Sequence, residues 1–437
     1  MSGLLIKGGR VIDPASGHDA LADIVVRSGR IEAISSSPVS SSDLDVIDAQ
    51  GCLVTPGLID IHVHFREPST THRETIATGS AAAAAGGFTS VCCMPNTTPA
   101  IDTVELVEFV TDRGDAAGKV RVFPTACGTL ARRGKTLAPI QELIDAGAVA
   151  ITDDGDGIAD PEMMSRILSE VAQAGSCFMQ HCQDPDMTRG SVMNAGVLAQ
   201  QLGLIGWPAI AEAMMLERDI AINESIGARY HAQHVTCREC VDLIRGARQR
   251  NEPVSGEASP HHLLLTEEAC RGWNTNAKMN PPLRQQRDID ALKEGIADGT
   301  ITILATDHAP HPPETKATDF TSASFGVVGV EAAIPLYATA LIADGVIDWM
   351  QMVAMMTTHP AALVGLDQRG LGSLTASGPA DITIINPDAT WTIDPEKSAG
   401  TGRNTPFAGR NVTGRIEATI VAGRVVFGPA TRARSLV

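Results

Sequence analysis

No stretch of this 437-residue chain approaches the roughly 20 unbroken apolar residues that a membrane-crossing helix needs. The N-terminus also lacks the basic-then-apolar pattern of a secretory signal. Positive charge is scarce: 34 Lys and Arg face 51 Asp and Glu, a formal balance of −17. That surface repels polyanions and argues against nonspecific nucleic-acid binding, although one well-placed arginine can still hold a small anion. The nine cysteines form no repeating framework and read as reduced thiols of a cytoplasmic protein. Cys237-x-x-Cys240 has redox or zinc spacing, but no second pair accompanies it, so it reads as helix residues following a strand. Apart from a Ser-rich stretch at 35–42, read as a surface loop, low-complexity segments are missing. What remains is a chain with 43% hydrophobic residues, ample for the core of a soluble enzyme.

The most informative segment is Gly57-Leu58-Ile59-Asp60-Ile61-His62-Val63-His64-Phe65-Arg66-Glu67-Pro68. Its apolar run reads as a buried strand, and strand residues two apart share a face, so His62 and His64 leave together. A lone histidine there would read as a satisfied core residue, but the pattern recurs. Apolar runs end in ligand-capable residues at Asp153-Asp154, at His181, at His234 and at Asp307-His308. Further strands are predicted at 89–93, 120–125 and 253–257, with helix-like stretches between, as at 161–174 and 209–226. Eight strands alternating with helices over roughly 250 residues have the size of a (β/α)8 TIM barrel, in which all strand ends meet at one mouth.

The chain ends tell a second story. Short strand patterns at 4–7, 24–27 and 30–34 resemble those at 380–385 and 417–426. The expected organisation is therefore a small β-sandwich domain built from both ends, residues 1–55 and 367–437, with the barrel, 56–366, inserted between them.

Four histidines (62, 64, 181 and 234) with Asp154 and Asp307 supply enough ligands for two metal ions sharing a bridging carboxylate. Imidazole with carboxylate suits Zn²⁺, with Co²⁺ or Mn²⁺ as alternatives, and two ions are favoured over one. Such a pair lowers the pKa of a shared water and polarises a carbonyl. Asp307 can also move the water's proton to a leaving group, and the reaction served is hydrolysis of an amide-like bond.

These residues lie in motifs that resemble class I dihydroorotase of the amidohydrolase superfamily. The motifs are His62-Val63-His64-Phe65-Arg66-Glu67-Pro68, Met94-Pro95-Asn96-Thr97, Asp153-Asp154-Gly155, His181-Cys182-Gln183-Asp184, Ser259-Pro260-His261-His262-Leu263, Lys278-Met279-Asn280-Pro281-Pro282-Leu283-Arg284 and Thr306-Asp307-His308-Ala309-Pro310-His311. The resemblance spans nearly the whole chain, to Asn404-Thr405-Pro406-Phe407. It implies reversible interconversion of L-dihydroorotate and N-carbamoyl-L-aspartate, a step of pyrimidine synthesis. It also implies one zinc on His62, His64 and Asp307 and another on His181 and His234, with Asp154 bridging. Arg66, Asn96 and His311 would grip the substrate carboxylate, while Asn280 and the Phe325-Gly326 backbone meet the ring. The loop 310–326 could close over substrate, and His261 and His262 read as structural. Relatives form homo-oligomers or assemble with aspartate carbamoyltransferase.

Two departures stand out. Many relatives bridge their metals with a carboxylated lysine; here the strand end carries Asp153-Asp154, and the chain has only seven lysines. Asp154 is the choice by motif position, with Asp153 the alternative. Ser69 replaces the usual glycine after Arg-Glu-Pro, so a different local turn is expected there. Two rivals are another cyclic amidase (allantoinase or dihydropyrimidinase) and a non-catalytic dihydroorotase-like partner of aspartate carbamoyltransferase. The first would be expected to carry the modified lysine, the second to have lost ligands.

Overall fold

A bulge near the N-terminus organises the terminal sheet. In the computed structural model, which describes residues 3–40 and 43–429, β1 (Gly3–Asp13) slips register against β2 (His18–Arg27) between Ile6 and Gly9. Gly8 supplies the left-handed conformation the slip needs (φ 73°), and its N–H donates to Asp23 Oδ1 at 2.8 Å. The bend lets the two halves of β1 find different parallel partners, β4 (Leu44–Asp48) and β5 (Leu53–Pro56), while β3 (Arg30–Ser35) extends the sheet beyond β2. Positions 41 and 42, the end of the Ser-rich stretch, lie outside the described residues.

The central region contributes parallel strands. β6 (Leu58–Val63), β7 (Phe88–Cys93) and β8 (Arg121–Pro124) form one sheet. β9 (Cys177–Gln180) belongs to a second; a small pair, β10 (Met193–Asn194) with β11 (Gly206–Trp207), stands apart; β12 (Arg229–Ala232), β13 (Val254–Ala258) and β14 (Ile303–Leu304) complete the second sheet in the order β14-β13-β12-β9. Every residue of β6 and β7 is buried, as expected of parallel strands covered on both faces. Helices between them, such as Pro161–Gln173 and Ile210–Asn223, pack apolar faces outside the strands. Ile59, Ile61, Cys92, Phe123, Met179 and Ile303 meet in one apolar cluster closed by Leu366 and Leu371.

Two predicted strands are shorter than expected. Only Ile151 of the 148–154 run joins a ladder, bridging Ala126 on one side and Phe178 on the other. The run at 301–308 keeps two strand residues, then returns at His308 to bridge Val63. Both segments leave the ladder where they deliver Asp154 and Asp307. Their backbone serves side-chain placement there rather than sheet pairing.

From the C-terminus, β15 (Ile382–Thr392), β16 (Asn411–Val421) and β17 (Arg424–Phe427) join the terminal sheet through antiparallel pairing of β15 with β5. The expected single strand 417–426 is thus a hairpin, turned by Ala422 and Gly423 at φ 47° and 74°. Strands from both chain ends share one core, in which Ile6, Ile24 and Val54 pack with Ile382, Ile384 and Ile420. The two regions are tied by Arg121, whose Nε donates to Asp381 Oδ2 at 2.7 Å, while Ala422 N donates to Asp381 Oδ1 at 2.7 Å. Asp381→Ala strands both donors and should cost about 2–3 kcal/mol. Urea unfolding that shows an unchanged midpoint would remove this tie from the stability account.

Candidate metal centre

His62 ends β6 and is fully buried, with His64 two residues on. His181 follows β9, His234 follows β12, Asp154 follows the Ile151 bridge, and Asp307 follows β14. Ring centroids of His62 lie 5.3 Å from those of both His64 and His234, and His181 lies 4.6 Å from His234. Asp154 stands among all four: its Oδ1 is 3.4 Å from His62 Nε2, 3.7 Å from His181 Nδ1 and 3.9 Å from His234 Nε2, and its Oδ2 is 3.7 Å from His64 Nε2. Asp153 points elsewhere, accepting from Gly128 N, Thr129 N and Thr129 Oγ1. Geometry therefore separates the two neighbours: only Asp154 joins the imidazoles.

The hydrogen bonds around this cluster reveal what it can hold. His62 Nδ1 donates to Glu257 Oε1 at 2.6 Å, which leaves Nε2 as an acceptor with no hydrogen-bond partner. Asn96 donates through Nδ2 to Asp154 Oδ2, so its Oδ1 faces His64 Nδ1 and must accept from it, both at 3.0 Å. The remaining lone pair of His64, at Nε2, then meets Asp307 Oδ1 at 3.0 Å, acceptor against acceptor. His181 Nε2 is likewise committed outward to Gln183 Oε1 at 2.8 Å, leaving Nδ1 2.8 Å from His234 Nε2. Asp307 Oδ2 is buried without a partner. In their neutral rings, the outer nitrogens of His62, His64 and His181 donate outward and the inner nitrogens are left to accept beside two carboxylates: such a cluster fits a cation. Two triads, His62-His64-Asp307 and His62-Asp154-His234, each bring ligand atoms within 4.8 Å of one another. His181 lies outside both triads and touches His234 and Asp154.

Burial opposes charge on all these groups, and their neighbours decide the outcome. Despite burial, Glu257, Asp307 and Asp154 raise the His62 pKa well above the ordinary histidine value, so these carboxylates draw a positive charge, proton or metal ion, onto its inner nitrogen. Burial and His181 pull His234 down to about 3. For Glu257, His62 and His231 outweigh burial and bring the pKa down to about 2. The backbone is held in the left-handed region at Arg66, His234 and Asp307 (φ 61°, 30° and 48°), conformations that persist in non-glycine residues only where surroundings enforce them. Ser69 itself adopts the left-handed conformation (φ 68°), and its Oγ donates to the Thr98 carbonyl, a bond glycine could not make.

Eleven of the twelve predicted site residues line one cleft of about 490 Å³, and His62 lies buried beneath it. Arg66 is the one permanently cationic residue of the lining; burial lowers its pKa to about 10. Its Nη2 donates to His311 Nε2 at 3.4 Å, so the His311 Nδ1 must carry a hydrogen, and that donor has no partner. Asn280 Nδ2 donates to Gln183 Oε1 at 3.3 Å, leaving Oδ1 an unpartnered acceptor. Phe325 and Gly326 form the facing wall; a Cβ on Gly326 would stand 2.8 Å from both the Ala309 oxygen and His311 Cδ2. Among the described residues no lysine lines the cleft.

Several residues here escaped the sequence reading. Glu257 binds His62 Nδ1, His231 Nε2 (3.0 Å) and His234 N (3.1 Å) at once; a predicted strand closed on it, but the sequence reading gave it no role. Gln183 and Arg132 are similar; the latter donates to the Asp154 carbonyl. His261 and His262 both contact Ser259 Oγ, and His262 Nε2 reaches the Pro281 carbonyl at 3.0 Å, as structural groups would. Cys237 and Cys240 lie buried with sulfurs 3.4 Å apart beside Glu212, whose carboxylate is already taken by Thr236 and Arg284.

Comparison with known proteins bears on this geometry. A family profile described as Dihydro-orotase-like matches residues 51–240, and one described as Amidohydrolase family matches 271–427. The chain is 45% identical to the dihydroorotase of Pelotomaculum thermopropionicum, covering 97% of this chain and 98% of that one. It is 42% identical to the dihydroorotase of Syntrophotalea carbinolica, covering 97% and 99%. The chain belongs to the dihydroorotase family. Among solved structures, an L-hydantoinase (dihydropyrimidinase) from Arthrobacter aurescens superposes with TM-score 0.86 at 26% identity, over 98% of this chain and 96% of that one. A dihydropyrimidinase from Brevibacillus agri shares the fold at TM-score 0.83 and 23% identity, over 98% and 95%.

Because Glu257 fixes the His62 ring and the His234 backbone, Glu257→Gln should weaken divalent-ion binding about 10–100-fold. Competition against a chromophoric chelator measures this, and a wild-type affinity would show that the carboxylate does not set the ring orientation.

Proposed function

We propose that this protein is a cytoplasmic, zinc-dependent dihydroorotase that interconverts L-dihydroorotate and N-carbamoyl-L-aspartate. One observation carries the reading: an acceptor-only cluster and a buried arginine face each other across a single cleft. The cluster suits a cation, and the arginine suits a substrate bearing a carboxylate. The scaffold is read as a (β/α)8 barrel over 56–366 with a β-sandwich from 1–55 and 367–437. Parallel bridges at Val63–His308, Ala126–Ile151 and Ile151–Phe178, linking the edges of the two central sheets, support it.

His62, His64 and Asp307 would hold one zinc and His181 and His234 the other, with Asp154 shared, two ions being favoured over one. Such ions supply a water of lowered pKa and polarise the scissile carbonyl. The chain's own groups do the rest. Arg66 presents fixed guanidinium donors to the substrate carboxylate, joined by the His311 Nδ1 hydrogen and the second amide hydrogen of Asn96. Asn280 Oδ1 accepts from a ring N–H, and the Phe325-Gly326 backbone lies along the ring. Asp307, through the unpartnered Oδ2, takes the proton of the attacking water and delivers it to the ring nitrogen as the C–N bond opens. In cyclisation the same carboxylate returns it. Among the described residues no lysine lines the cleft, so the bridging position would fall to an unmodified carboxylate, that of Asp154. Homo-oligomers and assembly with aspartate carbamoyltransferase belong to this reading and are checked by light scattering with and without that enzyme.

Turnover of dihydroorotate, allantoin and dihydrouracil by protein of measured zinc content separates the rivals. Dihydroorotate alone should be turned over well, and chelation should abolish it. Preference for an uncharged ring would remove Arg66 from its role, and full metal occupancy without activity would favour a non-catalytic partner. Asp307→Asn should fold normally by circular dichroism yet lose at least about 100-fold in kcat. Near-normal turnover would displace Asp307 as the proton carrier.

A further inference from the structure

Only two lysines are buried among the described residues, Lys278 at 1% and Lys316 at 4% exposure, and both face the same segment of chain. Lys278 Nζ donates to the carbonyls of Phe320, Thr321 and Ala323 at 2.8, 2.8 and 2.6 Å. Lys316 Nζ donates to the carbonyls of Ser324, Gly326 and Lys278 at 2.8, 3.0 and 3.3 Å. An ammonium has three N–H donors and no acceptor, so three carbonyls saturate each one, and a neutral amine could not serve all three. The segment 320–326 therefore turns five of its carbonyls inward around two cations. The Lys278 charge also sits 4.3 Å from the centroid of the Phe325 ring.

Burying two cations without a carboxylate among their acceptors is costly, which makes the result they produce informative. That result is the position of Phe325 and Gly326. Gly326 N donates to the Lys278 carbonyl at 3.0 Å, and Gly326 O accepts from both Lys316 and Asn404 Nδ2, each at 3.0 Å. Asn404 extends the frame, accepting from His311 N at 2.9 Å and donating to the Ala309 carbonyl at 2.9 Å. Three residues far apart in the chain thus fix the wall that faces the ion cluster.

We infer that Lys278 and Lys316 are positioning residues for the substrate: they gather the carbonyls of 320–326 so that Phe325 and Gly326 stand in place before substrate arrives. The segment is a preformed wall rather than a lid that closes. This rests on reading the cleft as the dihydroorotate site. Neither lysine lines that cleft, so both act through the backbone they hold.

Hydrogen exchange on the zinc-loaded full chain tests the wall directly. The amides of Ala323, Ser324 and Gly326, which donate to Asp319, Thr315 and Lys278 carbonyls, should be protected in the free enzyme and little changed by dihydroorotate. Fast exchange that slows only with substrate would make the segment a lid and overturn the proposal. In Lys278→Met and Lys316→Met, exchange across 318–326 should accelerate and KM should rise roughly tenfold while kcat falls less than about threefold. Zinc content should stay at the wild-type level. A wild-type KM in both variants would overturn the proposal as well. If a variant fails to fold, the wild-type exchange pattern still decides. If the wild type turns over no dihydroorotate, the functional reading fails, while the exchange results judge the wall on their own.

Discussion

The structure depends on a set of lone pairs aimed at one another. His62, His64 and His181 each donate one ring hydrogen outward, to Glu257, Asn96 and Gln183, and present the other nitrogen inward to Asp154, Asp307 or a second imidazole. Unpaired acceptors packed in a buried space repel, so the arrangement is favourable only with positive charge among them. The donors that point outward are as necessary as the ligands, because they fix which nitrogen faces in.

Holding that geometry has a conformational cost. Left-handed backbone at Arg66, His234 and Asp307 costs on the order of 1–3 kcal/mol at each position. The surrounding framework offsets it. Fully buried parallel strands carry the ligands at their ends, and apolar side chains from five strands meet beneath. The terminal sheet uses both ends of the chain, so parting the N-terminal strands from the C-terminal ones would expose a core that mixes Ile24 with Ile384 and Ile420. Rigid strands place the histidine and aspartate cluster, and a loop wound around two buried ammonium groups forms the opposite wall.

Much of the site was legible because strand periodicity is a short-range property. The two-residue spacing of His62 and His64, and the polar endings of later apolar runs, announce themselves wherever a buried strand meets a ligand-capable side chain. Asp153 and Asp154 resisted the same logic, since both follow the same run and only their partners differ. Thr129 and the amides at 128 and 129 claim the first, and the imidazoles surround the second. Glu257 also closes a predicted strand, but a lone acid there carries no pattern of its own, and its meaning comes from His62 and His231 on other strands. At Ser69 the hydroxyl supplies a bond to Thr98 that a rule based on glycine's freedom does not count.

Sequence by itself determined which residue types end the strands, the family to which they point, and the absence of a lysine where relatives carry one. These depend on local order along the chain and on motif spacing. Motif position favoured Asp154, and tertiary structure decided that it, not Asp153, meets the histidines; tertiary structure alone decided which nitrogens face inward and that two lysines hold a loop by its carbonyls. Those choices are set by contacts between segments up to two hundred residues apart, and no local pattern in the chain encodes the direction in which a side chain finally points.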